Sequence, residues 1–174
     1  MALALVSAAG CGFGPVSAKG DEQSLPKLTG RVIDQANLID PATETALTAK
    51  LAALEADTSD QLVVVTLPNL KGEAIEATGL RLGNSWGIGR DGVDNGVLLL
   101  VVPSERKFRI EVGEGLEGLL TDERAAEIIR LMLPQFKANK LDAGIVLGVD
   151  EISNRLRSDQ RRPQRLKQPN KIAA

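Results

Sequence analysis

The chain has 174 residues, enough for one domain with a substantial core, and its 43% hydrophobic and 25% charged residues are those of an ordinary globular protein. A formal net charge of −2 gives no global case for nucleic acid as a partner. There is no His and a single Cys, Cys11, so Ser-His-Asp triads, Cys-His pairs, His-ligated zinc and intramolecular disulfides are excluded. Any chemistry falls to carboxylates, amides, hydroxyls, Lys, Arg or the backbone.

Residues 1–18 form an apolar, small-residue-rich stretch, too short to span a bilayer at about 1.5 Å rise per residue, and read as an export signal. Within it, Ala8-Ala9-Gly10-Cys11 resembles a bacterial lipobox, in which Cys11 would carry the lipid. Cleavage after Val16-Ser17-Ala18 is the alternative. The expected location is therefore the cell envelope, on the extracytoplasmic side of the membrane. Residues 19–29 read as a polar linker, and residues 30–156 as the folded domain.

In that domain, Asp40-Pro41 with Glu44 is a helix start, and Leu47, Leu51 and Leu54 continue at helical spacing. Gln61 to Leu67 is a continuous β-branched run, the pattern of a strand buried on both faces. A helix follows over 73–86, with Leu80 among its apolar members and Gly79 and Gly83 inside it. Each Gly weakens that helix by roughly 1 kcal/mol unless close packing requires it.

Gly96 to Val102 is a second buried strand. Pro103 to Arg106 turns the chain, and Lys107 to Val112 alternates polar and apolar residues, a hairpin partner with one polar face, nearer the sheet edge. Thr121 caps a helix that Pro134 is expected to interrupt, and a last helix runs over 141–156. The expected order is α, β, α, β-β, α, α. It gives an α/β fold, a three-layer α/β/α sandwich with a short mixed sheet, a right-handed β-α-β crossover, a β-hairpin and helices on both faces. Residues 157–174 form a basic tail, read as a solvated end or as a contact for anionic lipid.

Two G-x-G-x-x-G runs, Gly87 to Gly92 and Gly113 to Gly118, are not nucleotide sites. The first follows a helix and feeds a strand, and the second carries Glu114 and Glu117, which would repel phosphate. The hairpin instead brings the two glycine-rich loops to one end of the sheet. Asp91, Asp94 and Asn95 on one loop and Glu114 and Glu117 on the other would then converge. Crowded carboxylates repel unless a cation lies between them, and hard oxygen ligands on Gly loops suit Ca²⁺, or Mg²⁺ with retained waters. Solvated loop residues, with glycines present only for turns, are the plain alternative.

The run Trp86-Gly87-Ile88-Gly89, then Asn95 to Val101, then Arg109 to Gly118 followed by Leu120-Thr121-Asp122, closely resembles the TPM domain family, as does the opening Val32 to Ile39. The resemblance covers about residues 30 to 156. It implies an α/β/α sandwich on the envelope side of bacteria or in the thylakoid lumen, divalent-cation binding at the acidic loop end, and an acid phosphatase activity. It also implies, for some members, assembly or repair of membrane complexes, so a membrane protein or complex is the expected partner. Asp34 matches the opening family motif, although the topology read here does not bring it to the acidic end. Many bacterial members carry a C-terminal transmembrane helix and a glycine-rich tail, which this sequence lacks, leaving a lipid on Cys11 as the expected anchor.

Two functions follow as expectations. One is a non-catalytic module that uses a cation to order its docking loops. The other is a metal-dependent phosphoester hydrolase, with a loop carboxylate as base and Arg90 or Arg109 steadying the substrate.

Overall fold

The computed structural model describes residues 25–159. The expectations for the export signal and Cys11, and nearly all of the basic tail, lie outside the described residues. No helix among the described residues is long and apolar enough to cross a membrane.

Helix α1 (Pro41–Thr58) starts where Asp40 accepts hydrogen bonds from the Ala42 and Thr43 amides, both 3.0 Å, and ends at Ser59 in the left-handed conformation. Strand β2 (Gln61–Thr66), helix α2 (Ile75–Trp86) and strand β3 (Gly96–Val102) follow as the periodicity requires. A short 3-10 turn then leads into β4 (Lys107–Val112), before helices α3 (Asp122–Lys137) and α4 (Leu141–Arg157). An additional strand, β1 (Val32–Asp34), corrects the expected order. Three residues are too few to show a period of two, and only pairing with β2 makes them a strand.

The sheet order is β1-β2-β3-β4, with the first three strands parallel and β4 antiparallel to β3. Successive side chains on a strand point to opposite faces, and each face has its own core. Val64, Leu99 and Ile110 face the layer of α1, α3 and α4, with Leu51, Met132 and Val149. Val63, Leu98 and Leu100 face α2, with Ile75 and Leu82. Among the described residues the sandwich is therefore three layers deep, with three helices on one side and one on the other.

Helix α3 runs through Pro134 instead of breaking there. The ring removes one intrahelical hydrogen bond, but the residues around it are gripped by α4. A Cβ on Gly144 would lie 2.7 Å from the Phe136 ring, and one on Gly148 would lie 2.6 Å from the Met132 sulfur. The two glycines are notches one helical turn apart, each receiving a large side chain of α3. Phe136 also packs against Phe108 of β4, the rings tilted by 50° with centroids 4.4 Å apart.

Leu80, one of the apolar members of α2, is 55% exposed. Gly79 rather than Leu80 faces the sheet, and a Cβ there would be 3.1 Å from Glu111 Oε2. The segment before β1 is more than a spacer: Leu25 packs on the α2-side core, and the Trp86 indole N–H donates to the Pro26 carbonyl at 3.0 Å.

Candidate functional site

The end of the sheet where β3 begins and β4 finishes carries the two glycine-rich loops. The first leaves α2 at Gly87, whose φ of 58° is left-handed, and the Gly89 amide donates to Gln61 Oε1 at 2.8 Å. Gly89 has a φ of 106° and lies over the start of β3, where a Cβ would come 2.8 Å from the Gly96 amide nitrogen. Only glycine fits there.

Asn95 locks this loop. It is fully buried, its side-chain oxygen accepts from the Arg90 amide at 3.0 Å, and its side-chain nitrogen donates to the Ser59 carbonyl at 2.6 Å and to Asp60 Oδ1 at 3.1 Å. Its amide is thus committed to holding the 87–95 loop against the α1–β2 turn. In this structure Asn95 is an organiser of the loop rather than a group turned outward to a ligand.

The second loop lies directly on the first. The Gly113 amide donates to the Gly96 carbonyl at 2.8 Å, and the Gly115 amide donates to the Asp94 carbonyl at 3.1 Å. Leu116, fully buried in the three-helix core, pins the loop from beneath. Downstream, Thr121 caps α3 by accepting from the Arg124 amide, and its side chain holds the Glu123 carboxyl below the usual range by hydrogen bonding.

The structure brings Asp94, Glu114 and Glu117 to one open cavity of about 410 Å³, which Leu80, Asn84 and Glu111 also line. Asp91 lies on the same loop but not on the cavity wall. Asp34 is at the other end of the sheet, because β1 runs parallel to β3 and Asp34 closes it. Its carboxylate accepts from the Ile39 amide at 2.8 Å, the Leu38 amide at 3.1 Å and the Thr66 hydroxyl. It therefore shapes the turn into α1. A second cavity, about 350 Å³, runs along β4 to the start of α3 and shares Glu111 and Glu117 with the first.

Among the described residues, no three Asp, Glu, His or Cys side chains come close enough to hold a metal ion between them. The donors on the cavity wall are hard oxygens of the type Ca²⁺ and Mg²⁺ prefer. Arg109 is committed to Glu111, its Nε 2.8 Å from Oε2, and that hydrogen bond raises the guanidinium above its ordinary value.

Glu111 and the α2 residues of the cavity were not legible as site residues. The strict alternation of β4 placed Glu111 on the polar face, but only the closeness of α2 at Gly79 turns that face into a cavity wall.

The TPM domain profile matches residues 32–155. The chain belongs to the TPM domain family. The N-terminal domain of a P. gingivalis protein, solved by NMR, is 33% identical, with a TM-score of 0.69, covering 74% of this chain and 82% of that one. The N-terminal domain of the cg2496 protein of Corynebacterium glutamicum is 17% identical at a TM-score of 0.58, covering 76% and 83%. The BA42 protein of the psychrophilic Bizionia argentinensis is 19% identical at 0.59, covering 68% and 81%. The latter two share the fold. No functionally curated protein is recognisably similar to the chain. This TPM domain thus combines a shared sandwich with an acidic cavity built by two interlocked loops.

Proposed function

We propose that this TPM domain is a non-catalytic docking module of the cell envelope, exported by its N-terminal segment, that takes a divalent cation at its acidic loop end. The observation that carries the reading is the interlock of the two loops. Backbone hydrogen bonds at Gly113 and Gly115 hold the two loops together, so that Asp94, Glu114 and Glu117 line a single cavity before any ligand arrives. Ca²⁺ or Mg²⁺ would bring positive charge to a cavity whose wall carries these carboxylates. Asp94, Glu114 and Glu117 would hold it, largely through retained water. The loops so stiffened would form the face offered to a membrane protein or complex.

Calorimetric titration of Ca²⁺ and Mg²⁺ into chelator-treated full-length protein tests this reading. Heat that is lost in the Asp94→Asn and Glu117→Gln variants supports it, and no heat with either cation defeats it. Recovery of a membrane partner with the wild type, but not with the variants, would support the docking role.

The second reading, a phosphoester hydrolase, is favoured by the name of the matching family profile, which includes the word phosphatase. It requires turnover of p-nitrophenyl phosphate that depends on Ca²⁺ or Mg²⁺ and falls with Asp94→Asn while the fold survives.

A further inference from the structure

Strand β4 is an edge strand, and its outer backbone groups can be assigned. The Gly113 amide donates to the Gly96 carbonyl, which makes Gly96 and Gly113 a hydrogen-bonded pair. Pairs alternate along an antiparallel ladder. Glu111 and Arg109 therefore bond to β3, while Phe108, Ile110 and Val112, opposite Val101, Leu99 and Val97, point their amides and carbonyls away from it. Among the described residues no backbone hydrogen bond reaches these outward groups. A row of unpaired donors and acceptors in a regular strand is a template for one more strand.

Two further observations select the occupant. The surroundings of this edge are acidic: Arg109 offsets Glu111, and Glu117 remains in both cavities that flank β4, joined by Asp94 and Glu114 in one and Asp122 and Glu123 in the other. The chain also leaves the domain at this end. Arg157, the last residue of α4, lies 3.5 Å from Asp57 in the final turn of α1, and the next turn of chain, at Ser59, is the one that holds Asn95. Beyond it, residues 160–174 carry Arg161, Arg162, Arg165, Lys167 and Lys171 and no acidic residue.

Between Pro163 and Pro169 lies Gln164-Arg165-Leu166-Lys167-Gln168, a run with every backbone donor intact. At about 3.3 Å per residue it covers some 17 Å of a strand, most of the length of β4. Its alternation puts Leu166 on one face and Arg165 and Lys167 on the other. The residues between Asp159 and Gln164 reach up to about 17 Å, more than the 8–10 Å of one helix packing distance.

We propose that residues 164–168 of this chain's own basic tail add as a fifth strand to the free edge of β4, with Arg165 and Lys167 set against the acidic wall formed by Glu117, Asp122 and Glu123. The tail then occupies, in cis, the edge and acidic rim that an extended basic peptide of a partner would otherwise use. A partner of that chemistry must displace it.

The test is amide hydrogen exchange by NMR on three full-length proteins: the wild type, the doubly substituted Arg165→Glu/Lys167→Glu chain, and Leu166→Pro. None of these changes touches the described domain, and the Leu99 amide serves as an internal control of its integrity. Both variants are expected to speed exchange at Phe108, Ile110 and Val112 by about tenfold or more, leaving Leu99 unchanged. Acceleration in the charge variant but not in Leu166→Pro would mean attraction without strand pairing, and overturns the proposal. Equal exchange in all three also overturns it, whether or not the tail pellets with phosphatidylserine vesicles. So does protection that rises with protein concentration, which would assign the edge to a second copy.

Discussion

A methyl group on the α-carbon of Gly115 would fall 1.9 Å from the Val93 carbonyl oxygen, so the second loop rests on the backbone of the first with no room for a side chain. The obstacle is main chain, which cannot swing aside. Gly115→Ala should therefore force the loops apart and cost about 1–3 kcal/mol, read as a lower midpoint of urea denaturation. The same substitution should scatter Asp94 and Glu117 and weaken any cation heat. A Gly115→Ala protein as stable as wild type would mean the loops are not interlocked in solution.

Asn95 supports the same loop from behind. Replacing it with Ala removes the acceptor for the Arg90 amide and the donor to the Ser59 carbonyl, both part-buried, and the buried donor to Asp60. Water can reach the first two partners, so the loss falls toward the low end of the range for unmade hydrogen bonds, and Asn95→Ala should lose about 1–2 kcal/mol of unfolding free energy. Asn95→Asp should fare no better, because it would set a carboxylate against Asp60. Thermal denaturation of the two variants checks both statements.

Acid should loosen this end of the sheet through Glu55. Burial pushes its carboxyl up, but hydrogen bonds from Arg31 (2.6 Å) and Gln61 (3.1 Å) outweigh that and hold it below its ordinary value. A carboxyl depressed in the folded state contributes stability that is fully present above its unfolded value of about 4.3 and is lost as pH falls through the lower folded value. The pair is partly exposed, so its contribution is about 1 kcal/mol or less. Since Gln61 also receives the Gly89 amide, the loop should respond too. Glu55→Gln should flatten the stability profile below about pH 4.3, measured by denaturant titration across pH.

The two glycines inside α2 should part company. Nothing lies within 4 Å of a Cβ built on Gly83, and its backbone is helical, so Gly83→Ala should stabilise the domain by about 0.5–1 kcal/mol. At Gly79 the helix gain is opposed by the Glu111 carboxylate at 3.1 Å, and a larger residue such as Val should lift α2 from β4. A Gly79→Val protein more stable than Gly83→Ala would contradict the contact.

The elements that the sequence reveals are those whose own residues carry the period. Leu47, Leu51 and Leu54 announce α1, and the continuous runs of β2 and β3 announce strands covered on both faces. Strand β1 is invisible because its identity lies in the register Val32 to Val64, Ile33 to Val65 and Asp34 to Thr66, which belongs to another segment. Pro134 misleads for a similar reason: the notches that keep α3 whole are on α4. At the site, the meeting of the two loops follows from the hairpin alone. The separation of Asn95 and Asp34 from the cavity does not, because both are polar residues spent on backbone groups far away in sequence. An isolated Asn beside an Asp offers no sign that its amide faces inward.

The hydrogen bond from Trp86 to Pro26 joins two stretches of chain that are 60 residues apart. Trp86 is the last residue of α2, and Gly87, the first residue of the glycine-rich loop, follows it directly. Mechanical tension applied through the N-terminal segment would therefore meet the indole before it could peel β1 from the sheet. Such a pull would be felt first at the root of the acidic loop, and the way the domain is held could set how its cavity is presented.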